Sequence, residues 1–366
     1  MSKKPDYHEH EEFQNRTRKL KEIREAGINP YPHKFTPTHT AVGLHEGFDE
    51  AQAGHSDDAA AGTTLPVKLA GRLVLFRSMG KNAFGQIQDE TGRIQIMFNR
   101  DLTNLVDYSP EESSEVSPYK FIEKKFDLGD IIGIEGNLFH TNKGELTVFV
   151  KVVTLLCKTT LPLADKHGGL VDKELRYRKR WLDLISHPDI AKKFRTRSHL
   201  IQQIRKYLDD HQFLEVETPI LQSIYGGAEA RPFHTRLNAL DQEMFLRISL
   251  EIPLKKLIVG GMNRIYELGR VFRNEGIDRT HNPEFTMMEA YAAYWDYKDM
   301  MIFVETLFEK LAIELYGSTQ VPYTPSEGED TVYIDMKAPW KRLTMKEAIK
   351  EYGQLDAEKL SDEEIR

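Results

Sequence analysis

The sequence lacks the features on which secreted, membrane-bound and nucleic-acid-coating proteins depend. It has a single cysteine, Cys157, so no disulfide can form within the chain. No apolar run is long enough for a signal-peptide core or a membrane span. The formal net charge is −7, whereas a protein that coats nucleic acid by bulk attraction needs an excess of Lys and Arg. We therefore expect a soluble, cytoplasmic protein in which contacts with RNA are local.

A length of 366 residues with 40% hydrophobic composition predicts two domains, preceded here by an N-terminal region over residues 1–66. Residues 9–26 have the pattern of a sparse amphipathic helix that ends at Gly27. Its two interpretations are a solvated helix and an RNA-binding arm. From Ala41 to Thr64 large apolar residues are almost absent, so we expect a mobile insertion.

Short alternating runs rich in Val, Ile and Phe begin at Val67, with turn sequences such as DETG and TNKG between them. About five such strands predict a small closed β-barrel of the oligonucleotide-binding (OB) type over residues 67–160. Barrels of this kind stack bases on aromatic side chains and bind their edges with polar ones. The candidates for these contacts are Arg77, Phe84, Gln95 and Glu145. The alternative for Phe84 is a place in the core, which is commoner for a lone Phe in a strand.

After the barrel, a linker over residues 161–187 contains the basic run Arg176 to Arg180. A long helix is predicted from about Pro188 to His211, followed by the extended segment FLEVETPIL, Phe213 to Leu221. An apolar helix face next to a strand edge fits an interface with a second copy of the chain. An ordinary packed helix fits these features equally well.

Further along, MFLRISLE, NRIYELGRVFRNE and PEFTMMEAYAAY have strand character. By the two-residue period, Phe285, Glu289 and Tyr291 share one face of the last strand, and Arg273 and Glu275 share a face of the strand before it. Antiparallel pairing sets these two faces side by side. A carboxylate among aromatic residues is costly to bury unless a cation pairs with it, so a cationic ligand is expected there.

Several motifs together resemble the class II lysyl-tRNA synthetases of bacteria. They are FRNEGIDRTHNPEFTMMEAY, GGAEARPF, FLEVETPIL and GLVDKELRYRKRWLDLI, and the barrel segment AGRLVLFRSMGKNAFGQIQDETGRIQI resembles the anticodon-binding domain of that family. The resemblance spans most of the chain from about Val67 to Lys298. It implies an α+β fold, with an N-terminal five-stranded OB-type barrel followed, over residues 188–366, by an antiparallel sheet flanked by helices.

The resemblance also implies the roles of individual residues in joining lysine to ATP. Arg273 matches the arginine that touches the substrate carboxylate and the α-phosphate, Glu275 the acceptor for the adenine amino group, and Phe285 the ring on which adenine stacks. His281 and Asn282 match the loop positions near the distal phosphates and the base. Glu289 and Tyr291 match residues around the lysine ε-ammonium, and Gly227 and Glu251 match those that hold the α-ammonium.

The partners that the resemblance implies are tRNA(Lys), L-lysine, ATP with Mg²⁺, and a second copy of the chain. A synthetase for aspartate or asparagine is the close alternative, but a carboxylate at Glu289 favours an amine. A paralogue that lysylates a protein is a further possibility, although it would lack the barrel. A non-catalytic RNA-binding module is the possibility from a different class of protein.

Two features depart from the family pattern. Pro253 lies in SLEIPLKK where a helix is expected, although proline is tolerated in a first helical turn. Ser361 and Glu364 form a helix-starting capping box just before the last residue, Arg366. We therefore expect that the family's third motif and its magnesium-binding carboxylates lie beyond this end, and that these 366 residues alone activate lysine weakly or not at all.

Overall fold

The computed structural model describes the chain except for residues 1–5, 48–53, 110–115, 164–169, 279, 326–327, 357–358 and 362–366. The predicted capping box at Ser361 and Glu364 therefore falls largely outside the described residues. The chain divides into two compact units, Met1–Lys192 and Lys193–Arg366.

The first unit is built around the expected barrel. Its strands are β1 (Pro66–Met79), β2 (Asn82–Gln88), β3 (Arg93–Asn99), β4 (Asn104–Leu105), β5 (Ile131–His140) and β6 (Leu146–Cys157). Antiparallel pairing gives the order β3-β2-β1-β5-β6, and a parallel pairing of β3 with β6 closes the barrel. Every second residue is buried along β2 and, from Val67 to Leu73, along β1, so the period-2 pattern turns apolar side chains into the interior. The prediction of a closed five-stranded barrel is confirmed.

The first unit also contains six α-helices in its described residues. They are α1 (Glu11–Glu25), α2 (Ala41–Glu46), α3 (Ser56–Ala61), α4 (Pro118–Lys125), α5 (Lys173–Arg178) and α6 (Arg180–Ser186). Helix α1 buries Ile23 completely and Arg16 almost completely, and Arg16 donates hydrogen bonds of 3.1 Å to both Leu128 O and Thr159 Oγ1. This helix therefore packs on the barrel through one apolar and one charged anchor.

The segment expected to be a mobile insertion contains α2 and α3 in its described parts. Ala41 and Leu44 of α2 and Ala59 of α3 are buried against the barrel. Thr40 caps α2 by accepting a 3.2 Å hydrogen bond from the Gly43 amide. The expectation of a mobile segment does not hold for these two helices. Each helix packs one or two apolar side chains on the core that the barrel already provides.

Helix α7 (Pro188–Asp210) begins in the first unit and continues in the second. The second unit also holds β7 (Leu214–Glu215), β8 (Leu221–Gln222), β9 (His234–Leu237), β10 (Gln242–Leu246), α8 (Glu251–Val259), β11 (Arg264–Phe272), β12 (Glu284–Ala292), α9 (Tyr297–Tyr316), β13 (Gln320–Tyr323), β14 (Val332–Asp335) and α10 (Met345–Gly353). Its sheets have the orders β12-β11-β7, β8-β10-β9 and β13-β14.

Two helix boundaries follow from local chemistry. Asp296 caps α9 through the amides of Lys298 and Asp299, and Gly317 ends it in the left-handed conformation that glycine adopts at least cost. Both signals were predicted, and both are confirmed. Pro253 occupies the first turn of α8, where its missing N–H breaks no helical hydrogen bond.

The central sheet of the second unit has two different faces. Tyr266 and Met288 lie on the face that packs on Tyr207 and Leu208 of α7 and on residues of α9. The opposite face carries Ile265, Val271, Phe285, Met287 and Tyr291, which cluster with Leu250 and Leu254 of the α8 region. This second face is the one that carries the candidate site.

Candidate active site

Strands β11 and β12 bring the predicted site residues to a common face. Val271 pairs with Phe285, Glu267 with Glu289, and Ile265 with Tyr291. Directly opposed residues of an antiparallel pair point to the same side, so Phe285, Glu289 and Tyr291 lie along one surface. Past the end of β11, the Arg273 amide donates a 2.9 Å hydrogen bond to Pro283 O. The pairing thus continues far enough to place Arg273 at the same edge.

Arg273 lies over the ring of Phe285. Its guanidinium carbon is 5.4 Å from the ring centroid, within the range of a cation–π contact. Its Nε donates to the carbonyl of Ile248 at 3.3 Å, which holds the planar fork against the sheet. A guanidinium held at Nε still carries two terminal nitrogens, which suit the planar recognition of a carboxylate or phosphate.

Glu289 accepts hydrogen bonds on both carboxylate oxygens. Its Oε1 lies 3.1 Å from both Ser249 Oγ and the Leu250 amide, and its Oε2 accepts from the Tyr291 hydroxyl at 3.2 Å. Leu250 is the N-cap residue of α8 and supplies no side-chain cap, so the carboxylate meets the positive end of this helix instead. Burial, the charges of Glu289 and Glu251, and the hydrogen bond to Glu289 raise the pKa of Tyr291 well above its usual value. Tyr291 therefore stays protonated and acts as a donor.

Gly227 lies against this group. It has φ +85°, a conformation that favours glycine, and a Cβ on it would lie 2.9 Å from both Ser249 Oγ and Glu251 Cβ. Glu251, the first residue of α8, pairs with Lys255 one turn later at 2.6 Å. The structure thus gathers Gly227, Glu251, Glu289 and Tyr291 around Ser249.

A buried ion pair lies beside Glu289 on the same face of the sheet. Arg247 Nη1 lies 2.5 Å from Glu267 Oε1, and the two residues are 2% and 3% exposed. Arg247 also donates to Arg270 O and Thr218 O, while Glu267 Oε2 accepts from the Thr218 hydroxyl at 2.6 Å. The negative charge of Glu267, opposite Glu289 in the ladder, is thereby neutralised inside the protein.

Sequence reasoning missed Arg247, Ser249 and Thr218. The available signal was an arginine in the apolar segment MFLRISLE, since a charge in such a segment needs a buried partner. Nothing in the sequence pattern identified Thr218 or Glu267 as that partner.

The loop between β11 and β12 carries the remaining candidates. Asp278 accepts hydrogen bonds from the Thr280 amide and hydroxyl and from the His281 amide and ring. The Thr280 amide, the His281 ring and the other donors hold the pKa of Asp278 well below its usual value. Glu275, His281 and Asn282 are exposed. Within the described part of the chain, the side chains of Glu275 and Asn282 make no polar contact with the residues around Glu289.

On the barrel, the four predicted base-contacting residues lie on a common outer face. Arg77 pairs with Phe84, and Phe84 with Met97, across β1, β2 and β3. Gln95 donates a 2.9 Å hydrogen bond to Thr147, two residues from the exposed Glu145. Phe84 is half-buried and packs on the cluster of Ala59, Met97, Phe139 and Phe149. It also lines an open cavity of about 330 Å³ together with Asn82, Asn99, His140 and residues of α3.

Comparisons with known proteins match both units. Residues 67–156 match the family of OB-fold nucleic acid binding domains, and residues 172–364 match the class II tRNA synthetases (D, K and N). The chain is 55% identical over 372 aligned positions to a lysine–tRNA ligase of Chlamydia pneumoniae, covering all of this chain and 69% of that protein. It is 56% identical to that of Chlamydia caviae, covering 99% of this chain and 68% of that protein, and 45% identical to that of Moorella thermoacetica, covering 94% and 65%.

The chain belongs to the lysine–tRNA ligases. Membership confirms the resemblance to class II lysyl-tRNA synthetases and the assignment to aminoacyl-tRNA ligases, and it disfavours an aspartate or asparagine synthetase and a non-catalytic module.

No group of three or more His, Cys, Asp or Glu residues in the described ranges lies close enough together to hold a metal ion. None of the helices in the described part of the chain is long and apolar enough to cross a membrane.

Proposed function

We propose that this chain binds L-lysine and ATP on the α8-facing side of β11 and β12, joins them as lysyl-adenylate, and transfers the lysyl group to tRNA(Lys). A lysine carboxylate oxygen bonds to the α-phosphorus of ATP while the bond from phosphorus to pyrophosphate breaks. No proton moves in this step, so the protein's task is to position the reactants and to neutralise charge. The observation that carries the proposal is the hydrogen-bonded carboxylate of Glu289 on the same face as the Arg273–Phe285 stack.

The lysine side chain ends at Glu289. This carboxylate is half-buried and is held by Ser249, Leu250 and Tyr291, so it is oriented before the ligand arrives. An ammonium group pairs with the charge of Glu289, whereas a neutral or acidic side chain would leave the carboxylate desolvated and unpaired. Gly227 and Glu251 lie close to each other and to Ser249, and the resemblance assigns the lysine α-ammonium to them.

ATP lies over Phe285 and Arg273. A purine base stacks on the half-buried ring of Phe285, while the guanidinium of Arg273 meets the α-phosphate and the lysine carboxylate at the point of reaction. Arg273 is thus the proposed catalytic residue. Glu275, on the exposed side of the loop, accepts from the adenine amino group, and His281 and Asn282 contact the distal phosphates and the base.

Magnesium is expected to arrive with the triphosphate of ATP, where it neutralises phosphate charge. Because the described residues offer no cluster of three ligands, we assign it no ligand in this chain.

The tRNA anticodon docks on the outer face of the barrel. A base stacks on Phe84, and Arg77, Gln95 and Glu145 bind base edges or backbone from neighbouring strands. Since the net charge is −7, these local contacts rather than bulk attraction hold the RNA.

A homodimer and a cytoplasmic location complete the proposal. Leu214, Ile220 and Leu221 of the segment after α7 are exposed, and apolar side chains beside a strand edge favour pairing with a second copy. The basic run at Arg176 is less suited to RNA, because Arg176 and Arg180 both bind the buried Asp183.

Ligand-dependent thermal unfolding tests the proposed function. L-lysine with ATP raises the unfolding temperature of the second unit, and L-aspartate or L-asparagine with ATP does not. Equal stabilisation by all three amino acids would refute lysine selectivity. ATP–pyrophosphate exchange, measured separately, reports the rate at which lysine is activated.

A further inference from the structure

We infer that Ser249 is a positioning residue that sets selectivity for the lysine ammonium by fixing the Glu289 carboxylate. The inference rests on the proposed function, because it assumes that lysine binds at Glu289. It adds a residue that no sequence motif singled out, and it assigns to that residue an effect on lysine binding but none on ATP binding.

The chemistry of its two partners determines which hydrogen bond the Ser249 hydroxyl donates and which it accepts. The Glu251 amide can only donate, so the 3.1 Å contact makes Ser249 Oγ an acceptor there. The Glu289 carboxylate can only accept, so the hydroxyl proton points to Oε1, also at 3.1 Å. The hydroxyl therefore links the N-terminus of α8 to Glu289 through a directed chain.

Ser249 has little freedom to turn away. It is only 3% exposed, and Gly227 approaches so closely that a Cβ there would lie 2.9 Å from the hydroxyl oxygen. The side chain is enclosed by the Gly227 backbone on one side and by α8 on the other. Its donor is therefore available to Glu289 before any ligand binds.

The two oxygens of Glu289 are used differently. Each can accept about two hydrogen bonds. Oε1 receives both Ser249 and Leu250, so it is filled by the protein. Oε2 receives Tyr291, and across the described residues it has no second donor. Ser249 thus helps to turn the carboxylate so that Oε2 keeps an acceptor position for the lysine ammonium.

Removing the hydroxyl loosens this orientation without removing the charge. In Ser249→Ala, Leu250 and Tyr291 still hold the carboxylate, but Oε1 loses one of its two donors. A hydrogen bond to a charged group is among the stronger ones, so we expect lysine to bind about tenfold more weakly. Binding of ATP depends on Arg273 and Phe285 and is unchanged.

Calorimetric titration of the full chain with L-lysine alone and with ATP alone tests the inference. Ser249→Ala raises the Kd for lysine about tenfold and leaves the Kd for ATP unchanged, and Ser249→Thr, which keeps a hydroxyl, recovers most of the lysine affinity. Ser318→Ala is the matched control, since Ser318 is exposed and bonds only to the nearby Gln320 backbone.

A double-mutant cycle separates positioning from a general structural effect. If Ser249 acts through Glu289, the effect of Ser249→Ala largely disappears in a Glu289→Gln background. Norleucine, which keeps the α-ammonium but lacks the ε-ammonium of lysine, gains affinity relative to lysine in Ser249→Ala. Equal lysine Kd values for wild type and Ser249→Ala, or additive effects in the cycle, overturn the inference and leave the proposed function standing. A wild-type chain that binds ATP but not lysine overturns both.

Discussion

Arg247 and Glu267 form an ion pair that is almost fully withdrawn from solvent, and Glu267 lies directly opposite Glu289 on the same face of the sheet. Breaking such a pair leaves one charge buried without a partner. We expect Arg247→Met to lower the free energy of unfolding of the second unit by about 3–5 kcal/mol. Urea denaturation of the two proteins measures this difference.

The matched control for that change is Arg236→Met. Arg236 pairs with Asp241 on the surface, where exposed ion pairs contribute about 0–1 kcal/mol. Equal losses in the two variants would show that the buried pair has no special role.

Phe285→Ala should weaken ATP binding. Stacking of a base on an aromatic ring contributes about 1–3 kcal/mol, and the substitution also removes the surface on which Arg273 lies. We expect the Kd for ATP to rise at least about tenfold, while Phe285→Trp stays near wild type. Phe308→Ala is the control, because Phe308 packs on Trp340 away from the sheet face. Unchanged ATP affinity in Phe285→Ala would rule out the proposed base position.

Glu289→Gln should abolish most lysine binding and spare ATP. The amide keeps an oxygen that can accept from Leu250, so the local fold survives, but the charge that pairs with an ammonium is gone. Loss of one member of a buried charge pair costs about 2–5 kcal/mol, which corresponds to a Kd at least about 30-fold higher. Glu284→Gln on the same strand, paired loosely with Arg270 at 3.5 Å, should bind lysine like wild type.

Acid should destabilise the first unit through Asp127. Burial raises the pKa of this carboxyl, but Lys158 and Lys19 outweigh it, so the pKa lies below its usual value. A lowered folded-state pKa contributes stability above the unfolded value of about 4, and this contribution is lost as pH falls through the folded value. We expect Asp127→Asn to unfold more easily at pH 7, by about 2–4 kcal/mol, and to converge with wild type at low pH. Asp101 forms an exposed ion pair, so the free energy of unfolding of Asp101→Asn should depend on pH in the same way as that of wild type.

Phe84→Ala should reduce affinity for an anticodon stem-loop of tRNA(Lys). Loss of one stacked base corresponds to about a tenfold rise in Kd, and the salt dependence should stay unchanged because no cation is removed. Arg77→Ala should instead lower the salt dependence. Fluorescence titration at several salt concentrations distinguishes the two, and a wild-type response from Phe84→Ala would contradict the proposed anticodon face.

Features set by neighbouring residues were predictable from the sequence. The hairpin strands of the barrel, the capping of α9 by Asp296 and the period-2 faces of β11 and β12 all depend on short-range patterns. The resemblance to one family added the assignment of single residues to ligand groups.

Features set by contacts between distant segments were not predictable. Thr218 meets Glu267 49 residues away, and Ser249 meets Glu289 40 residues away. Helix α3 is also one of these features, because Ala59 is buried only once the strands of the barrel have assembled. The composition of Ala41 to Thr64 suggested a segment that cannot order by itself. Composition carries no information about the apolar surface that other parts of the chain provide for packing.

The carboxylate of Glu289 also closes the N-terminal end of α8, which has no capping side chain of its own. The same carboxylate therefore both selects the amino acid and caps the helix. Glu289 could be replaced by an apolar residue in order to admit a different amino acid. The Leu250 amide and the Ser249 hydroxyl would then lose the acceptor of their hydrogen bonds. Such a change needs a second substitution that brings a new acceptor to the end of α8. The amino-acid specificity can therefore be changed here only by two substitutions made together.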